Sequence, residues 1–205
     1  MKHATAALLP TLVCSTLLGA FASTPILAAQ PALDATEAAG LTFMREEEKL
    51  ARDVYTYLYP LWNVVIFDNI SQSEQQHFDS VGQLIDRYRL SDPATPDVSG
   101  SFKDPELQAL YDKLIVDGST SALAALQVGA LIEETDIVDL NDAIDATDQK
   151  DIIKVYSNLL RGSRNHLRSF VGAIEAMGIT YEAQVLTQEE VDAIVDSPME
   201  RGRKK

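Results

Sequence analysis

Apolar residues recur at steps of three and four over four long stretches of this chain, and nowhere alternate convincingly at a period of two, which predicts an all-α protein. The first stretch turns Leu41, Met44, Glu48, Ala51, Tyr55 and Leu58 inward, on a helix expected from the cap Thr42 to Tyr59, where Pro60 should stop it. The second, about 64–89, has the inner face Phe67, Ile70, Glu74, His77, Val81, Leu84 and Tyr88. The third, about 120–145, presents Leu123, Leu126, Ala130, Glu133, Ile137, Leu140 and Ile144. The fourth, about 148–177, presents Ile152, Tyr156, Leu159, Ser163, His166, Phe170 and Ala173, and Gly178 ends it. A Pro/Gly/Ser-rich loop at 91–104 leads into a short helix from Pro105 to Val116, with Asp104 as its cap. Beyond Gly178, Thr187-Gln188-Glu189-Glu190 reads as a capping box for one more short helix, and the basic end Arg201-Gly-Arg-Lys-Lys as frayed.

Each long stripe is interrupted near its middle by polar residues: Glu48, the Glu74/His77 pair, Glu133, and the Ser163/His166 pair. Taken singly, each reads best as a satisfied core group. Four at one level, including both histidines of the helical region, read better as a shared site. A buried carboxylate beside a buried imidazole needs a common partner, and a metal ion takes a carboxylate oxygen and a neutral ring nitrogen together. The competing reading of Ser71-x-x-Glu74 as a capping box conflicts with the apolar rhythm, which already runs through Phe67 and Ile70. Glu46 and Glu47 read as a solvated run. Glu47 and Glu134 are the rivals of Glu48 and Glu133 if the helical phase slips by one. Tyr55 and Tyr156 serve either as hydrogen-bond partners of ligand carboxylates or as core, and Trp62 as a cover over the helix ends.

Composition narrows the setting. Lys2, His3 and the apolar run from Ala6 to Ala22 read as a secretory signal peptide over 1–29, with cleavage expected after Ala29 and an alternative break after Ala22. Residues 30–40 then form a linker, 41–178 the helical domain and 179–205 a C-terminal extension. Val13 before Cys14 is a poor match to a lipid-anchoring signal. The signal holds Lys2 alone of the 17 basic residues and none of the 31 acidic ones, so the remainder carries 16 against 31, a net of −15. It also loses Cys14 and His3, leaving no thiol chemistry and only His77 and His166 as imidazoles. A periplasmic or extracellular location is expected. The acidity argues against nucleic acid and anionic membranes as partners, and no later run is long enough for a membrane span. A homo-oligomer is left open.

The helix order has short links between the first and second and between the third and fourth long helices, with roughly thirty residues between the second and third. That is a four-helix bundle with one long crossover containing a short helix, the connectivity of ferritin-like folds. Glu48-Lys-Leu-Ala51-Arg52-Asp-Val-Tyr55 resembles the first helix of rubrerythrins, Glu74-x-x-His77 their second, and Glu133-x-x-Asp136 the Glu-x-x-Glu of their third. With Leu160-Arg-Gly-Ser-Arg-Asn-His166, the chain over 41–178 resembles a ferritin-like, rubrerythrin-related domain family of uncharacterised function. The resemblance implies a metal set of Glu48, Glu74, His77, Glu133 and His166, with Asp136 as an extra carboxylate. Ser163 stands where the pattern has Glu, which bears on the second metal position. It implies one or two ions of iron or manganese, with zinc as the competitor. The function expected is redox chemistry with oxygen or peroxide at a dimetal centre. The alternatives are metal sequestration or delivery without catalysis, and a metal-free helical interaction module. Without cysteine there is no rubredoxin-type iron centre, so peroxidase chemistry by that route is not implied.

Overall fold

The computed structural model describes Met1 and residues 32–202, and the expected signal peptide at 1–29 falls almost wholly outside the described residues. Six helices follow in order: α1 Ala35–Trp62, α2 Val65–Tyr88, α3 Pro105–Gly118, α4 Ala122–Asp145, α5 Lys150–Ala176 and α6 Gln188–Val195. No strand occurs among the described residues, so the all-α expectation holds.

The ends of the helices follow from local chemistry. Asp34 caps α1 by accepting from Glu37 N at 2.8 Å, and the Glu37 carboxylate accepts from Asp34 N at 3.0 Å. The helix therefore starts before Thr42 and takes in much of the expected linker at 30–40. Thr42 is interior, with its hydroxyl donating back to Ala39 O at 2.8 Å. Pro60 does not stop α1. It lies within the last turn, where one missing N–H costs little, and the helix closes at left-handed Asn63 (φ 52°), whose N–H donates to Tyr59 O. Asp104 caps α3 with Pro105 at its first position, Thr187 and Glu190 form a capping box on α6, and Gly178 (φ 79°) follows the end of α5, all as the sequence predicts.

Helix α1 lies along α2 and α4 along α5, while α1 also meets α4 and α2 meets α5; α3 packs on α1 and α4, and α6 on α5. Between the four long helices the core is apolar, with a cluster of Tyr55, Phe67 and Phe170 whose ring centroids are 5.3 to 6.0 Å apart. Burying each such ring contributes roughly 1.5–3 kcal/mol.

Around its middle α1 is buried on every side, because the crossover wraps the face a solvated helix would show to water. Arg45 donates to Asp92 at 3.0 Å, Lys49 to Asp53 at 2.6 Å and to Val98 O at 2.8 Å, and Arg52 to Asp97 at 2.8 Å. These three cations, at steps of four and three, clamp loop 89–104 onto α1. Glu46 accepts from the backbone N–H groups of Lys103 and Asp104 at 2.6 and 2.9 Å. The reading of Glu46 and Glu47 as solvated is thus overturned: they are 3% and 7% exposed. Nothing in the periodicity of α1 announces a cover supplied by a distant loop.

Candidate metal centre

A three-residue step on a helix keeps two side chains on one face. Glu74 and His77 of α2 therefore point together into the core, where Glu48 of α1, Glu133 of α4 and His166 of α5 meet them. Two groups result whose ligand atoms lie within 4.8 Å of one another: Glu48, Glu74 and His77, and Glu74, Glu133 and His166. Glu74 belongs to both. Its Oε2 is 2.7 Å from His77 Nδ1 and its Oε1 2.7 Å from His166 Nδ1. Glu48 Oε2 completes the first group at 3.2 Å from His77 Nδ1, and Glu133 Oε2 the second at 3.4 Å from His166 Nδ1.

These approaches are close, yet they are not hydrogen bonds. The Nδ1 atoms of His77 and His166, Glu74 Oε1 and Glu48 Oε1 all lack a hydrogen-bond partner although they are buried. Ring nitrogens and carboxylate oxygens that converge without lying on a donor axis have the arrangement of ligands aimed at a common cation. The donor set fits two divalent ions, with Glu74 offering one oxygen to each group.

The surroundings hold the ligands in place. Tyr55 donates to Glu133 Oε1 at 2.6 Å, and His166 Nε2 shares a 3.1 Å hydrogen bond with Ser73 Oγ, which leaves Nδ1 facing the carboxylates. The two imidazoles stack with centroids 5.6 Å apart. Gly162 makes room for one of them: a Cβ there would lie 2.5 Å from His77 Cε1 and 2.6 Å from its Nε2.

Electrostatics without metal show the strain among these charges. Burial opposes ionisation of Glu74, but the His166 and His77 imidazoliums outweigh it and hold the carboxyl below the usual range. Burial pushes Glu48 up to about 7 against the pull of His77, with Glu74 adding to the rise. Burial likewise raises Glu133, while His166 pulls it back. The carboxylates in turn outweigh the burial of the rings, raising His166 to about 10 and His77 well above its ordinary value. A metal ion bound at the two Nδ1 atoms would have to displace a proton from each imidazolium.

Two expected residues sit otherwise. Asp136 belongs to neither group; its Oδ2 is taken by the Ser163 hydroxyl, while its Oδ1 has no partner. Ser163 is fully buried and faces inward, so the phase of α5 is as read, and Asp136 fills the space before it. Glu134 does not compete with Glu133. It turns toward the C-terminal extension, accepting from the Tyr181 hydroxyl and from the backbone N–H groups of Gln184, Val185 and Leu186. Glu47 has a buried oxygen without a partner, and burial together with Asp136 and Asp139 raises its carboxyl well above the ordinary value. The roles of Ser73 and Gly162 were not read from the sequence. Ser73 adjoins Glu74 and Gly162 lies one turn before His166, so their proximity to the motifs was the available signal.

The chain is similar to the uncharacterized protein MJ0754 of Methanocaldococcus jannaschii, with 48% identity over 166 residues that cover 81% of this chain and 90% of that protein. A crystal structure of hypothetical protein MJ0754 from Methanococcus jannaschii DSM 2661 matches the fold with a TM-score of 0.81 and 46% identity, over 85% of this chain and 99% of the other. Residues 37–198 span the two candidate groups and α6, and across them the chain belongs to the family described as an uncharacterized protein domain, DUF2202.

Proposed function

We propose that this chain is a ferritin-like four-helix bundle, exported by its N-terminal segment, that holds a dinuclear iron or manganese centre and uses it in redox chemistry with oxygen or peroxide. The observation that carries the reading is the sharing of Glu74 between two carboxylate–histidine groups in which Glu74 Oε1 and the Nδ1 atoms of His77 and His166 are buried without a hydrogen-bond partner. Iron or manganese, when bound, supplies one-electron redox steps that no side chain here provides. The protein's own contribution is positional. Glu74 spans the two groups, Glu48 and Glu133 stand at opposite ends, and Tyr55 and Ser73 fix Glu133 and His166. The aromatic and aliphatic side chains packed between the helices keep bulk water away from these charges. Three carboxylates and two imidazoles without sulfur suit iron and manganese, and zinc is the ion to discriminate against.

The test is reconstitution of the chain lacking residues 1–29 with Fe(II) or Mn(II) under anaerobic conditions, followed by metal analysis and addition of oxygen or peroxide. Two ions per chain and consumption of the oxidant in proportion to bound iron are expected. Stoichiometric metal with no oxidant consumption would leave a sequestration protein, and absence of bound metal would overturn the reading.

A further inference from the structure

The fold satisfies most of the carboxylates that it buries outside the candidate metal centre. Glu46 and Glu134 accept from backbone N–H groups, and Asp53 accepts from Lys49, Arg52 and Gly100 N. Glu47 and Asp136 are different. Each is only 7% exposed, yet Glu47 Oε2 and Asp136 Oδ1 have no hydrogen-bond partner. A buried carboxylate oxygen needs a donor or a cation, and here the neighbouring side chains offer neither.

Those neighbours are acidic. The charges that act most strongly on Glu47 are Asp136, Asp139 and Glu48, and the Asp139 carboxyl is within hydrogen-bonding reach of its own. Those that act on Asp136 are Glu48, Glu133 and Glu74. Asp136 therefore stands between Glu47 and the metal centre. On α4, Glu133, Asp136 and Asp139 follow at steps of three, each advancing about 4.5 Å along the helix and turning about 60° around it. The row leads outward, from Glu133 at 1% exposed through Asp136 to half-buried Asp139.

We propose that Glu47 and Asp139 form a transit site for divalent cations, from which Asp136 passes each ion inward to the centre. This role goes beyond the resident ions but rests on the metal reading above. Oxygen ligands alone suit hard cations such as Mn(II) and Fe(II). Among the described residues, Glu47, Asp136 and Asp139 do not converge into a third group of three ligand atoms, so the site binds weakly enough to release what it takes up. The unmet oxygens of Glu47 and Asp136 lie one after the other along the way in.

Uptake kinetics supply the test. Mn(II) is mixed with the metal-free whole chain, free Mn(II) is captured by a chelating dye after timed intervals, and the protein-bound ions are counted. Glu47→Gln and Asp139→Asn remove one charge each at nearly constant shape. Each should slow uptake about tenfold or more while the final count stays at that of the native chain. Asp86→Asn removes the same charge from an exposed position on α2 and should leave the rate unchanged. If Glu47→Gln does not fold, half-buried Asp139 carries the comparison. Native uptake rates in the folded variants, or equal slowing in Asp86→Asn, would overturn the transit site and leave the metal centre standing. A lower final count in either variant would make that residue a ligand of the resident ions and likewise overturn its role in transit. A native chain that takes up no Mn(II) or Fe(II) would overturn the metal centre, and the transit site with it.

Discussion

Gly162→Ala is the sharpest perturbation available, because it adds one carbon and aims it at one ligand. In a helix interior, alanine is favoured over glycine by up to about 1 kcal/mol. At 162, however, the new Cβ would lie 2.5 Å from His77 Cε1. Carbon atoms pack at about 3.5–4.0 Å, so the imidazole must retreat by roughly 1 Å. Metal–ligand distances tolerate only about 0.2 Å. The end of the His77 side chain can move, so the fold should survive while the group of Glu48, Glu74 and His77 loses its nitrogen. Gly172→Ala is the control on the same helix: the position is exposed, and a Cβ there meets nothing within 4 Å. Competition titration with a chromophoric chelator should show metal affinity in Gly162→Ala reduced about a hundredfold at one of two ions, the scale of a lost ligand orientation. Gly172→Ala should bind as the native chain does and gain roughly 0.5–1 kcal/mol in urea unfolding. Native metal affinity in Gly162→Ala would refute the placement of His77 at the centre.

Further outcomes follow from the buried charges. In chelator, Glu48, Glu133 and His166 have folded pKa values above their ordinary ones, so they stabilise at low pH and lose that contribution as pH rises through the folded values. For Glu48, raised from 4.5 to about 7, the loss between about pH 5 and pH 8 is on the order of 3 kcal/mol, and Mn(II) should reverse the trend. A chelated protein whose melting temperature is flat or rises over that window would contradict these environments. Glu46→Ala strips the acceptor from two backbone N–H groups and should cost roughly 2–3 kcal/mol in urea unfolding while leaving metal stoichiometry unchanged. Ser163→Glu, which the sequence pattern suggests would complete a ligand set, should instead crowd Asp136 and destabilise by about 1–3 kcal/mol without adding metal. A higher metal count in that variant would contradict the reading that Asp136 already fills the space before Ser163.

The stripes of the four long helices were legible because a helix buried on one face must repeat its apolar residues at its own period. That rule placed Glu48, Glu74, His77, Glu133 and His166 at one level and gave the inward phase of Ser163. It failed where burial comes from something other than a neighbouring long helix. Glu46 read as part of a solvated run, yet the backbone N–H groups it accepts from, those of Lys103 and Asp104, come from the crossover, which Arg45, Lys49 and Arg52 hold against α1. Glu134 read as a phase rival until its partners in the C-terminal extension were seen. Pro60 read as a stop because the rule of the missing N–H does not say how few residues of helix need follow it. The slot at Gly162 was invisible for a different reason. A glycine in a helix signals a close approach, and the sequence does not say by what.

Anomalous diffraction from crystals of the reconstituted protein, recorded above and below the iron or manganese edge, tests the central claim most directly. Two peaks are predicted, on either side of the Glu74 carboxylate and roughly 3.5–4 Å apart, the spacing of paired catalytic metals. Glu48 and His77 should ligate one, and Glu133 and His166 the other. A map with no anomalous density at Glu74, or with metal bound only elsewhere on the chain, would contradict the account.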